Sequence, residues 1–160
     1  GDVYKRQVIE KEKLLPHSEI NKILSTIEAL LVEKKLVVEN LIKEDLFLKT
    51  DKESFRSIFS NLLNNAIKYS PEGSVISFKH YLDKKSKVIS IKDNGYGIEK
   101  KSIHRIFERF YRSSKARAHT KGTGLGLALV KQLSARIGSN ITVQSQINSG
   151  TEFFVSFKDK

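Results

Sequence analysis

The sequence of 160 residues has the hydrophobic content of one ordinary domain, 39%, and a chain of this length buries about two thirds of its unfolded surface. It contains no cysteine, methionine or tryptophan, which excludes disulfide frameworks, thiolate metal sites and thiol nucleophiles. The net charge of +11 invites a nucleic-acid-binding interpretation, but lysines spread along the whole chain are more typical of a solvated surface.

The N-terminal stretch differs from the rest of the sequence. GDVYKRQ matches nothing in the pattern that follows, and we expect residues 1–14 to be a non-native or flexible lead-in to a domain formed by residues 15–160. The missing initial Met indicates a fragment. No stretch is long and apolar enough to span a bilayer, and no signal peptide is recognisable, so we expect a soluble, unsecreted domain.

The first predicted element is a helix that begins at Pro16 and has Ser18 as its N-cap. Its apolar residues keep helical spacing as far as Leu31. Two short strands are predicted after it, over residues 36–42 and 46–49.

The strongest helix signal spans residues 52–69, where apolar side chains recur at helical spacing without a miss. Pro71 and Gly73 end this helix. Residues 75–82 and 88–92 flank the turn sequence DKKS and predict a β-hairpin.

The last third of the chain alternates again between helix and strand. We predict a short helix over 102–110 and a longer one over 126–137 that ends with Gly138 in the left-handed conformation. Residues 141–146 and 152–157 flank the turn NSG and predict a final hairpin. Helices interleaved with mostly antiparallel strands indicate an α+β protein, a two-layer sandwich with one helical face.

Three asparagines interrupt the apolar helix in NLLNNAIKYS, residues 61–70. At 100° per residue, Asn61, Asn65 and Lys68 form one polar strip beside the apolar stripe, whereas Asn64 points almost directly away. The strip is either an ordinary polar shoulder or a site that a ligand covers. An amide oxygen suits a Mg²⁺ ion whose other ligands are water and phosphate oxygens, and a lysine suits a phosphate.

Two glycine-containing segments are candidates for a nucleotide site. DNGYGI, residues 93–98, is either a simple turn or a loop whose Asp93 accepts a hydrogen bond from the amine of adenine. KGTGLGLALV, residues 121–130, places three glycines before a helix, where backbone N–H groups and the helix dipole favour phosphate. It lacks the closing Lys and Ser/Thr of a P-loop. A basic cluster precedes it and suits a polyanion: Arg112, Lys115, Arg117, His119 and Lys121.

Together and in this order, these segments resemble the ATP-binding domain of sensor histidine kinases in the GHKL superfamily. NLLNNAIKYS resembles the family's N box, DNGYGI its G1 box, IFERFY (106–111) its F box and GTGLGL (122–127) its G2 box. The resemblance covers about residues 15–158. It implies the Bergerat α/β sandwich, with a mixed, mostly antiparallel sheet and helices on one face, in a two-component signalling protein.

The resemblance also implies a set of site residues. Asn65 would be the Mg²⁺ ligand, Asn61, Lys68 and Arg112 would contact phosphates, and Asp93 would bind adenine. The segment 111–122 would be the ATP lid, with Phe107 and Phe110 anchoring its start. The remaining nucleotide-binding residues would be Tyr69, Gly95, Gly97, Ile98, Tyr111, Gly122, Thr123, Gly124, Leu125, Gly126 and Leu127.

One position distinguishes the branches of the superfamily. Hydrolytic members such as DNA gyrase, and the anti-sigma-factor serine kinases, carry a glutamate base four residues before the metal-binding asparagine. Here that residue is Asn61, and an amide cannot take a proton at neutral pH. The sequence therefore predicts no general base in the fragment and favours the histidine kinase branch, in which a neutral imidazole is the nucleophile.

No histidine of the sequence fits the phosphoacceptor. His17 is followed by serine where the family has an acidic residue, and too few residues precede it to form the helical hairpin that carries the acceptor. His80, His104 and His119 are expected to be surface residues. We therefore expect a monomeric domain that lacks the dimerisation hairpin and that binds ATP without autophosphorylation.

The resemblance further implies partners and a location. The parent kinase would be a homodimer that passes the phosphoryl group to a response regulator, and this domain would be cytoplasmic, in a parent that can be anchored in the inner membrane. Two alternatives stay open at this point: a non-catalytic ATP-binding regulatory or interaction module, and a nucleic-acid-binding protein that uses its positive charge.

Overall fold

The computed structural model describes residues 9–113 and 124–158. We number its helices and strands in chain order. They are β1 (Lys11–Leu14), α1 (Pro16–Thr26), α2 (Glu28–Glu33), β2 (Val37–Asn40), β3 (Leu48–Asp51), α3 (Lys52–Tyr69), β4 (Val75–Asp83), β5 (Ser86–Lys92), α4 (Gly126–Arg136), β6 (Asn140–Gln146) and β7 (Gly150–Lys158).

Five of the strands form the main sheet, in the order β2-β4-β5-β7-β6. Strands β2 and β4 are parallel, and the other neighbours are antiparallel. The α+β sandwich predicted from the order of elements is thus confirmed. Strands β1 and β3 pair separately in a second, two-stranded sheet.

Helix α3 packs against one face of the main sheet and has the predicted bounds. Asp51 caps it by accepting a hydrogen bond from the N–H of Ser54 at 3.0 Å. Its buried rings reach the sheet: Phe55 lies 6.0 Å from Phe157 between ring centroids, and Phe59 lies 6.5 Å from Phe78. These aromatic contacts lie in the first half of α3 and join the helical layer to the sheet.

The beginning of the chain departs from the prediction. Residues 11–14 belong to strand β1 instead of a flexible lead-in, because they pair with β3 and because Leu14 is buried in the core. Residues 1–8 lie outside the described residues. The α1 helix starts with Pro16 at its first position and Leu15 as its N-cap, so Ser18 lies inside the helix and is not the cap.

Two further predictions are wrong in detail. The single helix predicted up to Leu31 is divided at Ile27, whose φ of −121° leaves the helical region and separates α1 from α2. Residues 102–110 form consecutive turns instead of a helix. In these turns the N–H groups of Ser102, Arg105 and Glu108 bond to carbonyls three residues earlier, so the segment lacks the i to i−4 ladder of an α-helix.

The end of α4 agrees with the prediction. Gly138 has a φ of +73°, and its N–H bonds to the carbonyl of Ala135, while the N–H of Ser139 bonds to that of Ser134. This pair of bonds is the Schellman motif. It turns the chain directly into β6, so that the β6–β7 hairpin lies beside the loop that follows β5.

Candidate functional site

A cavity of about 310 Å³ lies where the second half of α3, the loop after β5 and the start of α4 meet. Most of the residues predicted for the site line it. These are Asn61, Asn65, Lys68, Tyr69, Asp93, Gly97, Ile98, Tyr111, Arg112, Gly124, Leu125, Gly126 and Leu127. Gly122 and Thr123, together with the predicted lid residues from 114 onward, lie outside the described residues.

Asp93 is the most buried ionisable group of the cavity wall, with 7% of its surface exposed. Its Oδ1 accepts hydrogen bonds from the N–H groups of Gly95 at 2.8 Å and Thr151 at 3.2 Å. Burial raises the pKa of the carboxyl group to about 6, although the two backbone hydrogen bonds oppose this. At neutral pH the carboxylate is therefore ionised, with Oδ1 held in place.

The loop after β5 owes its shape to close backbone packing. Gly95 lies against the carbonyl group of Tyr69, the last residue of α3, and a side chain on Gly95 would overlap that oxygen. Gly97 has a φ of +76°, and a side chain there would overlap the carbonyl oxygen of Gln146 in β6. Both predicted glycines are thus required by close backbone contacts, Gly95 with the end of α3 and Gly97 with the end of β6.

The polar strip of α3 faces the cavity as predicted. Asn61 donates from Nδ2 to the carbonyl oxygen of Ser57 at 2.7 Å, which leaves its Oδ1 near Gly126 at the start of α4. Asn65 is half-buried, and its side chain has no hydrogen bond to another described residue. Asn64 also lines the cavity, from an exposed position, because the cavity mouth is wider than the strip inferred from helical phase.

Apart from the Asp93 carboxylate, whose Oδ1 already accepts two backbone hydrogen bonds, the side-chain oxygens of this wall that suit a metal ion are the amide oxygens of α3. Within residues 9–113 and 124–158, no group of three or more His, Cys, Asp or Glu side chains could hold a metal ion. A divalent ion would therefore take few ligands from the protein and most from water and from a bound anion, which is the usual mode of Mg²⁺ with nucleotides. The amide of Asn65, which is half-buried and has no hydrogen bond to another described residue, fits that role.

The predicted lid begins differently from expectation. Phe107 packs edge-to-face on Phe153 with 6.2 Å between ring centroids, as an anchor should. Phe110 does not pack inward: its side chain is 66% exposed. Its main chain is the part that is held, since its N–H bonds to the carbonyl oxygen of Gly124 at 3.1 Å. This bond brings together the two described ends of the chain on either side of the predicted lid.

Several residues of the cavity wall were not predicted. Thr151 bonds Asp93 through its N–H, and Tyr96 continues the loop after β5. The sequence signal that could have indicated Thr151 is its position directly after Gly150, where the last strand of the final hairpin begins. The unpredicted lining residues, besides Asn64, are Tyr96, Ile106, Ser113, Thr151 and Phe153.

The described histidines lie away from the cavity. His17 contacts the carbonyl oxygen of Ile42 through Nδ1 at 2.8 Å, and none of the three described histidines lines the cavity. His80 is not the simple surface residue that was expected, because its Nδ1 is buried and has no hydrogen-bond partner among the described residues.

Comparison with known proteins agrees with this geometry. Residues 50–160, well over half of the chain, match the family model described as histidine kinase-, DNA gyrase B- and HSP90-like ATPase. The chain is 37% identical over 128 residues to the sensor histidine kinase WalK of Bacillus subtilis. This alignment covers 77% of the chain but only 21% of WalK. The chain thus spans about a fifth of that curated relative.

Solved structures show the same fold. A mycobacterial sensor histidine kinase, MprB, superposes with a TM-score of 0.81 at 28% identity, over 92% of this chain and 97% of the MprB chain. Full-length ShkA in complex with AMPPNP superposes with a TM-score of 0.82 at 23% identity, over 96% of this chain and 32% of its own. The chain therefore belongs to the family of histidine kinase-, DNA gyrase B- and HSP90-like ATPases, as the catalytic and ATP-binding domain of a sensor histidine kinase.

Proposed function

We propose that this domain binds ATP with Mg²⁺ and transfers the γ-phosphoryl group to a histidine on the dimerisation hairpin of its parent kinase. One observation carries the proposal: the buried carboxylate of Asp93 and the half-buried amide of Asn65 line the same cavity. A purine at one end and a metal-bound triphosphate at the other would use both groups at once.

Asp93 would recognise the base. Its Oδ1 already accepts two backbone hydrogen bonds, so Oδ2 is the atom that can accept from the exocyclic amine of adenine. Guanine would present an oxygen at that position and would be repelled. Tyr69 and Ile98 would cover the faces of the ring, since both line the cavity beside Asp93.

The phosphates would lie between α3 and the start of α4. Lys68 and Arg112 line this part of the cavity with positive charge, and the first N–H groups of α4 have no side-chain cap from Leu125. The N–H groups of a first helical turn and the positive end of the helix dipole favour an anion here. Asn65 would hold Mg²⁺, which supplies charge neutralisation of the triphosphate when it is bound.

The proposed nucleophile is a histidine from outside the described wall, since no histidine is among the described lining residues. Asp93 is the only carboxylate among the described lining residues. In this proposal it binds the adenine, so it lies away from the γ-phosphate and would not take a proton from a water that attacks there. Asn61, where a general base would stand, is an amide that already donates to Ser57. In the proposed reaction a histidine nitrogen forms the new N–P bond as the bond to the β–γ bridging oxygen breaks, which releases ADP.

The wider context is also part of the proposal. We place the domain in the cytoplasm, in a homodimeric parent that phosphorylates a response regulator and can be anchored in the inner membrane. Among the helices of residues 9–113 and 124–158, none has the length and hydropathy needed to cross a bilayer.

The test has two stages. Calorimetric titration with ATP and GTP, with and without Mg²⁺, should show Mg²⁺-dependent binding that prefers ATP and is lost in Asp93→Ala. The domain should then phosphorylate a separately supplied acceptor hairpin in trans. Selective ATP binding without transfer would identify a regulatory module instead, and salt-dependent DNA binding that persists in saturating MgATP would support a nucleic-acid function.

A further inference from the structure

Ser145 connects the two hairpin strands to the loop that carries the purine-binding residues. It lies opposite Thr151 in the register of β6 and β7. Its Oγ lies 2.8 Å from the N–H nitrogen of Ile98, 3.0 Å from the carbonyl oxygen of Gly150 and 2.8 Å from Oγ1 of Thr151. Ser145 itself does not line the cavity, so its contribution must pass through these three neighbours.

The hydrogen-bonding capacity of Ser145 determines which partner donates. A hydroxyl group has one proton and two lone pairs. The N–H of Ile98 can only donate, and the carbonyl oxygen of Gly150 can only accept, so Ser145 uses one lone pair on the first and its proton on the second. The remaining lone pair must then accept from the hydroxyl of Thr151, whose proton is directed at Ser145.

This arrangement changes what Thr151 can offer to a ligand. Thr151 lines the cavity next to Asp93, and its N–H bonds to Oδ1 of Asp93. With its only hydroxyl proton given to Ser145, Oγ1 of Thr151 can present lone pairs and no donor. The ionised carboxylate of Asp93 is also an acceptor alone, so this wall of the cavity would accept hydrogen bonds and donate none from its side chains.

We propose that Ser145 is a positioning residue for purine specificity, because it fixes the Thr151 hydroxyl as an acceptor in the base pocket. This inference rests on the proposed ATP-binding function. A purine with a 6-amino group, a donor, satisfies the wall. A purine with a 6-oxo group meets acceptors only, whereas a Thr151 hydroxyl free to turn would offer that oxygen a donor.

The probe is inosine triphosphate, which carries oxygen in place of the 6-amino group of ATP and lacks the 2-amino group of guanine. The measured quantity is the ratio of the Kd for inosine triphosphate to the Kd for ATP, by calorimetry. In Ser145→Ala this ratio should fall about five- to tenfold, the effect of one hydrogen bond gained by the 6-oxo ligand. Ser145→Thr, which keeps a hydroxyl, should retain the wild-type ratio.

Controls separate proton ordering from loosening of the loop. Ser156→Ala, which removes an exposed hydroxyl elsewhere in β7, should leave the ratio unchanged. In a Thr151→Val background there is no hydroxyl to release, so adding Ser145→Ala should leave the ratio of that background unchanged. If Ser145→Ala does not fold, Ser145→Cys replaces it, because a thiol of similar shape is a weak acceptor.

The outcomes are distinct. An unchanged ratio in Ser145→Ala, or an equal fall with and without the Thr151 hydroxyl, overturns the role of Ser145 while leaving ATP binding intact. A wild-type domain that does not prefer ATP over inosine triphosphate contradicts the proposed function itself.

Discussion

Asp93→Asn should stabilise the fold at neutral pH while it abolishes selective ATP binding. The carboxylate is buried, and its desolvation is the main reason for its raised pKa. An asparagine carbonyl can accept the same two backbone hydrogen bonds without a buried charge, but its amino group would face the amine of adenine. Function and stability are therefore opposed at this position.

The magnitude follows from the titration of the carboxyl group. Its pKa rises from the ordinary 3.8 to about 6 on folding, and each pH unit between these values is worth about 1.4 kcal/mol, so ionisation costs the folded state about 3 kcal/mol at pH 7. Between these two pKa values the folded state binds more protons than the unfolded chain. The wild-type free energy of unfolding should therefore decrease as pH rises from about 4 to about 6, relative to the variant.

Urea unfolding followed by circular dichroism at pH values from 4 to 8 measures this directly. The free energy of unfolding of the variant should rise relative to that of wild type between pH 4 and pH 6, and the difference should become constant by pH 7. Asp45→Asn, at an exposed position, is the matched control and should show no such pH-dependent gain. A stability difference between Asp93→Asn and wild type that stays constant from pH 4 to 7 would refute the reasoning.

Three other predictions concern α3 and the loops beside it. Asn65→Ala should remove the Mg²⁺ dependence of ATP binding. Asn64→Ala, at the exposed rim of the cavity, should change the ATP Kd by less than about threefold, since a rim side chain contributes only tenths of a kcal/mol. Equal effects of the two substitutions in calorimetry would show that the metal site is misplaced. Lys34→Met should lower the free energy of unfolding by about 1–2 kcal/mol, because Nζ of Lys34 donates to the carbonyl oxygens of residues 67 and 68 at the C-terminal end of α3. In urea melts, Lys34→Arg should recover most of this loss. Gly97→Ala should lower the free energy of unfolding by more than about 2 kcal/mol, because φ is positive and the new side chain would overlap the backbone of β6. Gly73 also has a positive φ but has open space around it, so Gly73→Ala should lower it by about 1 kcal/mol. Similar thermal shifts for the two variants would contradict the packing argument.

The elements that followed from the sequence are those with a local signal. Helix α3 has the predicted bounds because its apolar spacing, its first-turn cap and the proline after it act within a few residues. The same local phase put Asn61 and Asn65 on one side of the helix, facing the cavity. By contrast, β1 was missed because Lys11–Leu14 is mostly polar and becomes a strand only through pairing with β3.

The errors near the site have the same origin. Phe110 was expected to anchor the lid with its ring, but the hydrogen bond from its N–H to Gly124 is what holds it, and main-chain contacts leave no pattern in side-chain identity. Helical phase placed Asn64 away from the ligand because it describes the helix alone and not the width of the cavity mouth.

The sequence by itself determined the family and the α+β class and predicted the residues with ligand chemistry, because hydrophobic period, glycine placement and side-chain type are local properties. Only the tertiary structure decided that Thr151 and Ser145 belong with Asp93. Ser145 and Thr151 each follow Asp93 by more than 50 residues in the chain. The strand register that brings them to Asp93 comes from packing of the whole sheet. The raised pKa of Asp93 was decided in the same way, since the burial that raises it exists only in the folded state.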